Sequence, residues 1–160
     1  MTATIPFVHG TFTIRRSWAA TPARVFAAWA DPEVKAQWFT GPSERWTLIR
    51  RSMDFVAGGT EVLEGRFAES GMTTLFEARY HLIEPAHRLV YVYDLHLSGQ
   101  FHSTTLSSLT LESEGARTTV SYTEQIVFID GHDGSESRRH GTGLQFDTIE
   151  NVLNLKGARP

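Results

Sequence analysis

Three side chains with catalytic potential alternate along one β-type segment of the chain. Glu77, Arg79 and His81 stand at positions i, i+2 and i+4, so on a strand they project to one side about 7 Å apart. An imidazole in such a row could act as a general base, and a guanidinium could stabilise an enolate or oxyanion. If the row faces the interior, this chemistry would suit an aldol-type cyclisation or a dehydration.

The same segment, Thr73 to Ile83, has a second face that competes for the interior. That face carries the apolar set Phe76, Ala78, Tyr80 and Leu82. Simple amphipathicity would bury this set and leave the charged row in solvent, where an exposed ion pair contributes little to stability. An apolar patch on the outer face would instead favour a homodimer, which the sequence permits.

A second chemical candidate is the lone carboxylate Glu124, which alternates with Tyr122 along a late β-type segment. If Glu124 faces inward it needs a partner, because an unpaired buried charge is strongly disfavoured. Tyr91, Tyr93 and Tyr122 could supply hydroxyl groups, or they could be ordinary aromatic residues of a sheet. His81, Arg79 and Glu124 are therefore the predicted catalytic residues.

Histidines flank one expected hairpin, and they raise the question of a metal site. His96 and His102 could approach one another across this hairpin, with Asp94 nearby. The spacing matches no recognised metal-ligand motif, and we expect neither a metal nor another cofactor. The sequence also lacks a phosphate-cradling glycine loop, a nucleophile elbow and a dinucleotide fingerprint.

The elements that position these side chains begin with two short helices between Thr21 and Phe39. Thr21-Pro22 and Asp31-Pro32 are typical helix starts, and each is followed by apolar residues at helical spacing. Seven β-type segments joined by short turns predict an antiparallel sheet. The last element is a helix from about Ser135 to about Leu155, with Asp133 and Glu136 in a capping-box pattern.

Together these elements predict one α+β domain over residues 1–160. A curved seven-stranded antiparallel sheet would wrap around the long C-terminal helix in a helix-grip arrangement, with two short helices between strands 1 and 2. Residues 1–10 are expected to form a loose arm. Trp46 to Phe55 is predicted as the second strand, and Phe101 to Leu111 as the sixth.

Glycines in the first half of the last helix predict a cavity. Gly141 and Gly143 each cost the helix roughly 1 kcal/mol relative to alanine, and the absence of side chains could leave room between helix and sheet. Close packing of helix on sheet, or a kink, is the alternative explanation. The residues predicted to line the cavity are Phe26, Trp29, Trp38, Glu77, Tyr91, Tyr93, Phe101, Tyr122, His140, Gly143 and Phe146.

Several of these stretches resemble a known family. The helix pair, the turn Ala57-Gly58-Gly59, the stretch Glu84 to Val90 and the Gly141-x-Gly143 helix are similar to the START-like, birch-pollen-allergen-like superfamily. The closest branch is the one named for the activator of the heat-shock-protein ATPase. Matching Ile83 to the apolar position before that branch's turn would place Glu77, Arg79 and His81 inward.

The resemblance implies a helix-grip fold and a hydrophobic ligand tunnel, while leaving the function open. The primary expectation is binding of a small apolar, aromatic or amphipathic molecule between the sheet and the last helix. One alternative is a polyketide-cyclase-like or dehydratase-like enzyme using the same cavity. The other is a co-chaperone-like interaction protein.

Composition narrows the remaining functional classes. The chain has no cysteine, a net charge of −3 and 41% hydrophobic residues, so disulfides and thiolate chemistry are excluded. Lysine occurs only at positions 35 and 156, which argues against a nucleic-acid partner. No apolar run is long enough to span a bilayer and no signal peptide is evident. A cytoplasmic location is therefore expected.

Overall fold

The computed structural model describes residues 3–155, which form an α+β fold with seven strands and three helices. The helices are α1 (Pro22–Ala30), α2 (Pro32–Trp38) and α3 (Ser135–Val152). The strands are β1 (Val8–Trp18), β2 (Trp46–Met53), β3 (Thr60–Phe67), β4 (Thr73–Glu84), β5 (Arg88–Leu97), β6 (Gln100–Glu114) and β7 (Arg117–Phe128). This element order confirms the predicted fold class.

The strands form one curved, fully antiparallel sheet in the order β1-β7-β6-β5-β4-β3-β2. Consecutive strands from β2 to β7 are neighbours, as hairpin connections require, while β1 pairs with β7. Val8 to Gly10 already belong to β1, where Val8 pairs with Phe128. The prediction that residues 1–10 form a loose arm is therefore wrong for these three residues.

Both short helices begin as the sequence predicts. The Thr21 side chain accepts a hydrogen bond from the Arg24 backbone N–H, and the Asp31 side chain accepts one from that of Glu33. Proline follows each cap, where its missing N–H costs the helix nothing. Asp31 thus ends α1 and starts α2, which sets the angle between the two helices. At this angle the Trp29 and Trp38 rings meet edge to face, with their centroids 5.5 Å apart.

The long helix α3 is held across the sheet by contacts to β1. The Arg16 guanidinium forms ion pairs with Asp147 at 2.9 Å and Glu150 at 2.8 Å, and Trp18 Nε1 donates to Glu150 Oε1. The predicted capping box of Asp133 and Glu136 is wrong, because the N-cap of α3 is Gly134, which has no side chain to bind the first N–H groups of the helix. The Asp133 carboxylate instead accepts from the N–H and hydroxyl of Ser135.

The core lies between α3, the helix pair and the concave face of the sheet. Phe146 of α3 contacts the rings of Trp18, Trp29 and Tyr122 at centroid distances of 5.6–5.8 Å. Aromatic packing therefore ties the C-terminal half of α3 to the sheet and to α1. Within residues 3–155, none of the helices has the length and apolar character to cross a membrane.

Candidate functional site

A cavity of about 660 Å³ lies between α3, α2 and the concave face of the sheet. Its wall is mostly aromatic and aliphatic, with polar side chains from α2, β7 and α3. The lining residues are Trp29, Lys35, Trp38, Phe39, Thr40, Gly41, Trp46, Leu63, Phe67, Thr74, Phe76, Tyr91, Tyr93, Leu95, Leu97, His102, Tyr122, Glu124, Phe128, Gly134, Ser137, Arg138, Gly141, Thr142, Gln145 and Phe146.

One face of α3 contributes to this wall, and only one of the two helix glycines lies on it. Gly141 lines the cavity, and a Cβ placed there would meet open space. Gly143 and His140 lie instead in a groove against β1, on the other side of the helix. Residues two apart are about 200° apart around a helix, so the two glycines point to different sides of α3, and the prediction that His140 and Gly143 line the cavity is wrong.

The predicted row Glu77, Arg79 and His81 lies on the outer, exposed face of β4, while Phe76 and Tyr80 are buried. The register explains this result. Tyr80 pairs with Tyr91 but Leu82 pairs with Val90, so β4 has an irregularity at His81. Strand alternation counted back from Ile83 is therefore wrong by one residue beyond His81, and for this reason it placed Glu77 and Arg79 on the inner face.

With the charged row in solvent, the two predicted catalytic residues of β4, His81 and Arg79, have no access to the cavity, and Glu77 does not line it. Of the apolar residues predicted for an exposed outer patch, Phe76 and Tyr80 are buried and Leu82 is partly buried. A homodimer stays a prediction.

A second irregularity, in the pairing of β5 with β6, reverses which of Phe101 and His102 faces the cavity. Leu95 pairs with Ser103, whereas His96 pairs with Phe101. This shift turns Phe101 to the outer face, where it is 39% exposed and contacts the His96 ring. The cavity position predicted for Phe101 is wrong, and His102 lines the wall instead.

The remaining predicted cavity residues are largely on the wall. Trp29, Trp38, Tyr91, Tyr93, Tyr122 and Phe146 all line it, and so does Glu124. Phe26 is buried but lies outside the lining, since its ring packs against Phe55 at 5.9 Å. This contact packs α1 against Phe55, in the segment that follows β2.

Glu124 forms the centre of a buried polar cluster. Its side chain is almost fully buried and accepts hydrogen bonds from the Tyr122 hydroxyl at 2.5 Å and the Tyr93 hydroxyl at 3.0 Å. The Tyr122 oxygen in turn lies 3.1 Å from the Tyr91 hydroxyl and from Ser107 Oγ. Two phenol hydroxyls thus bind the Glu124 carboxylate directly at the cavity wall, and the Tyr91 hydroxyl is linked to it through Tyr122.

Arg138 of α3 supplies the positive charge of this cluster. Its Nη1 lies 3.7 Å from Glu124 Oε1 and donates to the hydroxyls of Tyr93 and Thr105, and its Nη2 donates to Ser103 Oγ. The guanidinium therefore connects the start of α3 to β5, β6 and β7. Sequence reasoning missed Arg138, although its position on the helix face shared with Gly141 and Thr142 is a usable signal.

Burial raises the pKa of Glu124, while the hydrogen bonds from Tyr122 and Tyr93 and the charge of Arg138 oppose this rise. Burial also raises the pKa of Tyr91 and Tyr122, with the Glu124 charge acting in the same direction. The pKa of His102 is lowered by burial, against the pull of Asp130. The cluster therefore favours neutral phenols around a carboxyl group that holds its proton more tightly than in water.

The raised pKa of Glu124 predicts a defined pH dependence of stability. The contribution of the bound proton is fully present below the ordinary value of 4.5 and is lost as pH rises through the higher folded-state pKa. Glu124→Gln resembles the protonated acid and does not titrate. Wild type should therefore lose stability relative to Glu124→Gln as pH rises, measured by urea unfolding at a series of pH values.

The control for removing one carboxylate is Glu77→Gln, on the exposed face of β4. A wild-type to Glu124→Gln difference that stays constant with pH, or that changes in the opposite direction, would contradict the assigned state of Glu124.

A second buried cluster lies at the α2 end of the cavity. Lys35 and Glu61 are each 3% exposed, and Lys35 Nζ donates to Glu61 Oε1 at 2.5 Å. The Tyr80 hydroxyl donates to the same oxygen at 2.5 Å. The ammonium also lies 5.0–5.9 Å from the ring centroids of Phe39, Tyr91 and Trp38.

Sequence reasoning missed this pair as well. Lys35 shares a helix face with Trp38 and Phe39, at i+3 and i+4, so its inward direction follows from α2 itself. Burial lowers the pKa of Lys35, although the Glu61 charge and hydrogen bond oppose this. The cavity thus has an apolar body with a polar cluster at each of two places on its wall.

Residues 3–155 contain no evident metal centre. In the described part of the chain, no three histidine, aspartate or glutamate side chains come close enough to hold an ion. His102 Nε2 lies 3.5 Å from Asp130 rather than near His96, because the irregularity in β6 separates the two histidines onto opposite faces.

Comparison with known proteins places the fold. The family model described as Activator of Hsp90 ATPase homolog 1-like protein matches residues 19–154. A solved structure of an uncharacterised protein from Rhizobium leguminosarum is 35% identical, with a TM-score of 0.85, and the match covers 93% of this chain and 97% of that one. No curated protein matches the chain.

Two further structures extend this comparison. A protein from Rhizobium loti is 31% identical, with a TM-score of 0.84, over 92% of this chain and 99% of that one. CalU16 from Micromonospora echinospora is 17% identical, with a TM-score of 0.64, over 92% of this chain and 85% of that one. The CalU16 likeness concerns the fold alone.

Proposed function

The chain belongs to the Activator of Hsp90 ATPase homolog 1-like family, and from this membership and its cavity we propose that it binds a small hydrophobic or amphipathic molecule between α3 and the sheet. The observation that carries the proposal is the 660 Å³ space with its aromatic wall. Ligand pockets of small organic molecules generally have this size and composition, with a few fixed polar groups.

The polar clusters favour an amphipathic over a purely apolar occupant. The Glu124 cluster offers a carboxyl group, phenol hydroxyls and the Arg138 guanidinium. Lys35 adds an ammonium at the α2 end. A flat aromatic body with a hydroxyl or carbonyl group would pack on Trp29, Tyr91 and Phe146 while its polar atoms reach one cluster.

Ligand-induced stabilisation tests this proposal. A panel of apolar, aromatic and amphipathic compounds is added to the full chain, and thermal unfolding is followed by circular dichroism. A ligand at a hundredfold excess over its Kd should stabilise the protein by about 2.7 kcal/mol. Direct titration calorimetry then gives the stoichiometry, for which we expect one molecule per chain.

The matched control is an equally charged compound without an apolar body, which should leave the unfolding temperature unchanged. If no apolar or amphipathic compound stabilises the chain, the proposed function is contradicted.

A proton-transfer enzyme is the second candidate, and the position of Glu124 favours it. A buried carboxyl group with a perturbed pKa, in contact with a cavity, is a common feature of functional sites. Glu124 as general base and the Tyr122 or Tyr93 hydroxyl as donor to an enolate oxygen would suffice for proton abstraction next to a carbonyl.

The test uses the methyl ketone acetonaphthone in deuterated buffer, with methyl-proton exchange followed by NMR. The enzyme candidate predicts exchange that is catalysed by wild type and lost in Glu124→Gln. Exchange at the uncatalysed rate with wild type would reject it.

A further inference from the structure

Lys35 is placed as a reactive amine as well as a structural cation. Its Nζ is buried at the cavity wall and, among the described residues, Glu61 Oε1 is its only hydrogen-bond acceptor. Three aromatic rings that also line the cavity surround the rest of the ammonium group. Two of its N–H bonds are thus left without an oxygen acceptor, in a site with space for a ligand.

A carbonyl group is the ligand chemistry that this arrangement would take. A carbonyl oxygen can accept a hydrogen bond from the ammonium, which brings the carbonyl group into contact with the nitrogen. Glu61 lies at hydrogen-bond distance from the nitrogen and can receive its proton, and the Tyr80 hydroxyl donates to that same carboxylate. These are the groups that imine formation requires: an amine, an adjacent acid–base pair and a water-poor pocket.

We propose that Lys35 forms a reversible imine with an aldehyde or ketone that carries an apolar body. This inference rests on the proposed function, because the carbonyl compound must first occupy the cavity. It adds the substrate class, which is a carbonyl compound, and the bonding atom, which is Lys35 Nζ.

The reaction balances without any oxidant or reductant. The Lys35 ammonium passes one proton to Glu61, and the neutral nitrogen attacks the carbonyl carbon while Glu61 returns that proton to the carbonyl oxygen. The nitrogen then gives a second proton to Glu61, which leaves a neutral carbinolamine. Glu61 transfers this proton to the hydroxyl group, the carbon–oxygen bond breaks and water leaves as the carbon–nitrogen double bond forms. The net change is ammonium plus carbonyl to protonated imine plus water, with Glu61 restored as a carboxylate.

Two further features support Lys35 for this role. Burial lowers its pKa, which increases the fraction of the nucleophilic neutral amine. Lys156 is the only other lysine of the sequence, so the chain offers an internal comparison between two lysines.

Reductive trapping tests the inference. Full-length Lys156→Arg protein is incubated with naphthaldehyde and sodium cyanoborohydride, which reduces an imine to a stable secondary amine. Intact-mass analysis should show the gain of one naphthylmethyl group, and peptide mapping should place it on Lys35. The adduct should be lost in a variant that also carries Lys35→Arg, which keeps the charge but cannot form the imine.

Naphthalenemethanol, which has the same apolar body but no carbonyl group, separates the two proposals. It should bind to the cavity, compete with the aldehyde and reduce the labelling of Lys35. If the alcohol binds but Lys35 is not labelled, the imine inference is overturned and the proposed function stands.

If neither compound binds and no adduct forms, both proposals are overturned. Labelling of the chain's α-amino group instead of Lys35 overturns the inference. Because the mapping is made in protein with an intact Lys35, the test remains decisive even if Lys35→Arg does not fold.

Discussion

Glu61→Ala should lower the free energy of unfolding by about 3–5 kcal/mol, because removing one partner of a buried ion pair leaves the other charge buried and uncompensated. Here the substitution leaves the Lys35 ammonium without its ion-pair partner and also removes the acceptor of the Tyr80 hydroxyl. Urea unfolding followed by circular dichroism measures the change. The double variant Lys35→Met, Glu61→Leu should recover much of the loss, since apolar side chains of similar volume need no compensation.

The same strand provides the matched control. Glu64 of β3 pairs with Arg50 at 2.9 Å, but the Arg50 side chain is 56% exposed. Glu64→Ala should cost less than about 1 kcal/mol, as exposed ion pairs do. Equal losses for Glu61→Ala and Glu64→Ala would contradict the buried cluster at the α2 end of the cavity.

Phe146→Ala should destabilise the chain by about 3–5 kcal/mol, which is the usual cost of truncating a buried phenylalanine. Phe146 is the aromatic contact of α3 with Trp18, Trp29 and Tyr122. Phe146 lines the cavity, so its removal would enlarge the cavity beside the C-terminal half of α3, and the cavity term adds to the lost transfer free energy. Denaturant unfolding measures the stability.

Leu144 lies two residues earlier on the same helix and is 54% exposed. Leu144→Ala should change the stability by no more than about 0.5 kcal/mol, as surface substitutions usually do. If Phe146→Ala costs as little as Leu144→Ala, the packing that anchors α3 is not as described.

Periodicity was sufficient to predict the fold because each element had its own local signal. Thr21-Pro22 and Asp31-Pro32 start the two short helices, and turns between alternating segments separate the strands. The predicted inward residues of β5 and β7, such as Tyr91, Tyr93 and Glu124, line the cavity. In regular strands, alternation alone decides which side chains face the interior.

The wrong placements occur where that alternation breaks. An irregularity at His81 reverses the phase along β4, and one beside His102 exchanges Phe101 with its neighbour. Irregularities of this kind arise from the pairing of two strands, so no pattern within one strand indicated them. Each one shifts every residue beyond it to the opposite face.

The buried charges were missed for a different reason. Lysine and arginine side chains usually lie in solvent unless they are paired. Lys35 is buried and Arg138 is partly buried because Glu61 and Glu124 lie opposite them in the folded chain. Their partners are 26 and 14 residues away in sequence, so only the assembled sheet brings the charges together. The sequence pattern indicated which face of each helix points inward, but it did not identify the acidic partner of Lys35 or of Arg138.

A pair of tryptophan substitutions on α3 tests most directly whether the cavity is the binding site. Gly141 lines the cavity and Gly143 faces the groove against β1, and an added Cβ meets open space at both positions. Both substitutions replace glycine in the same helix, so their effects on helix propensity should be similar.

The measurement is titration calorimetry with naphthalenemethanol. Gly141→Trp should weaken binding at least tenfold, about 1.4 kcal/mol, because the indole occupies space that the ligand needs, whereas Gly143→Trp should bind like wild type. Equal affinities for the two variants would place binding outside the cavity and contradict the account.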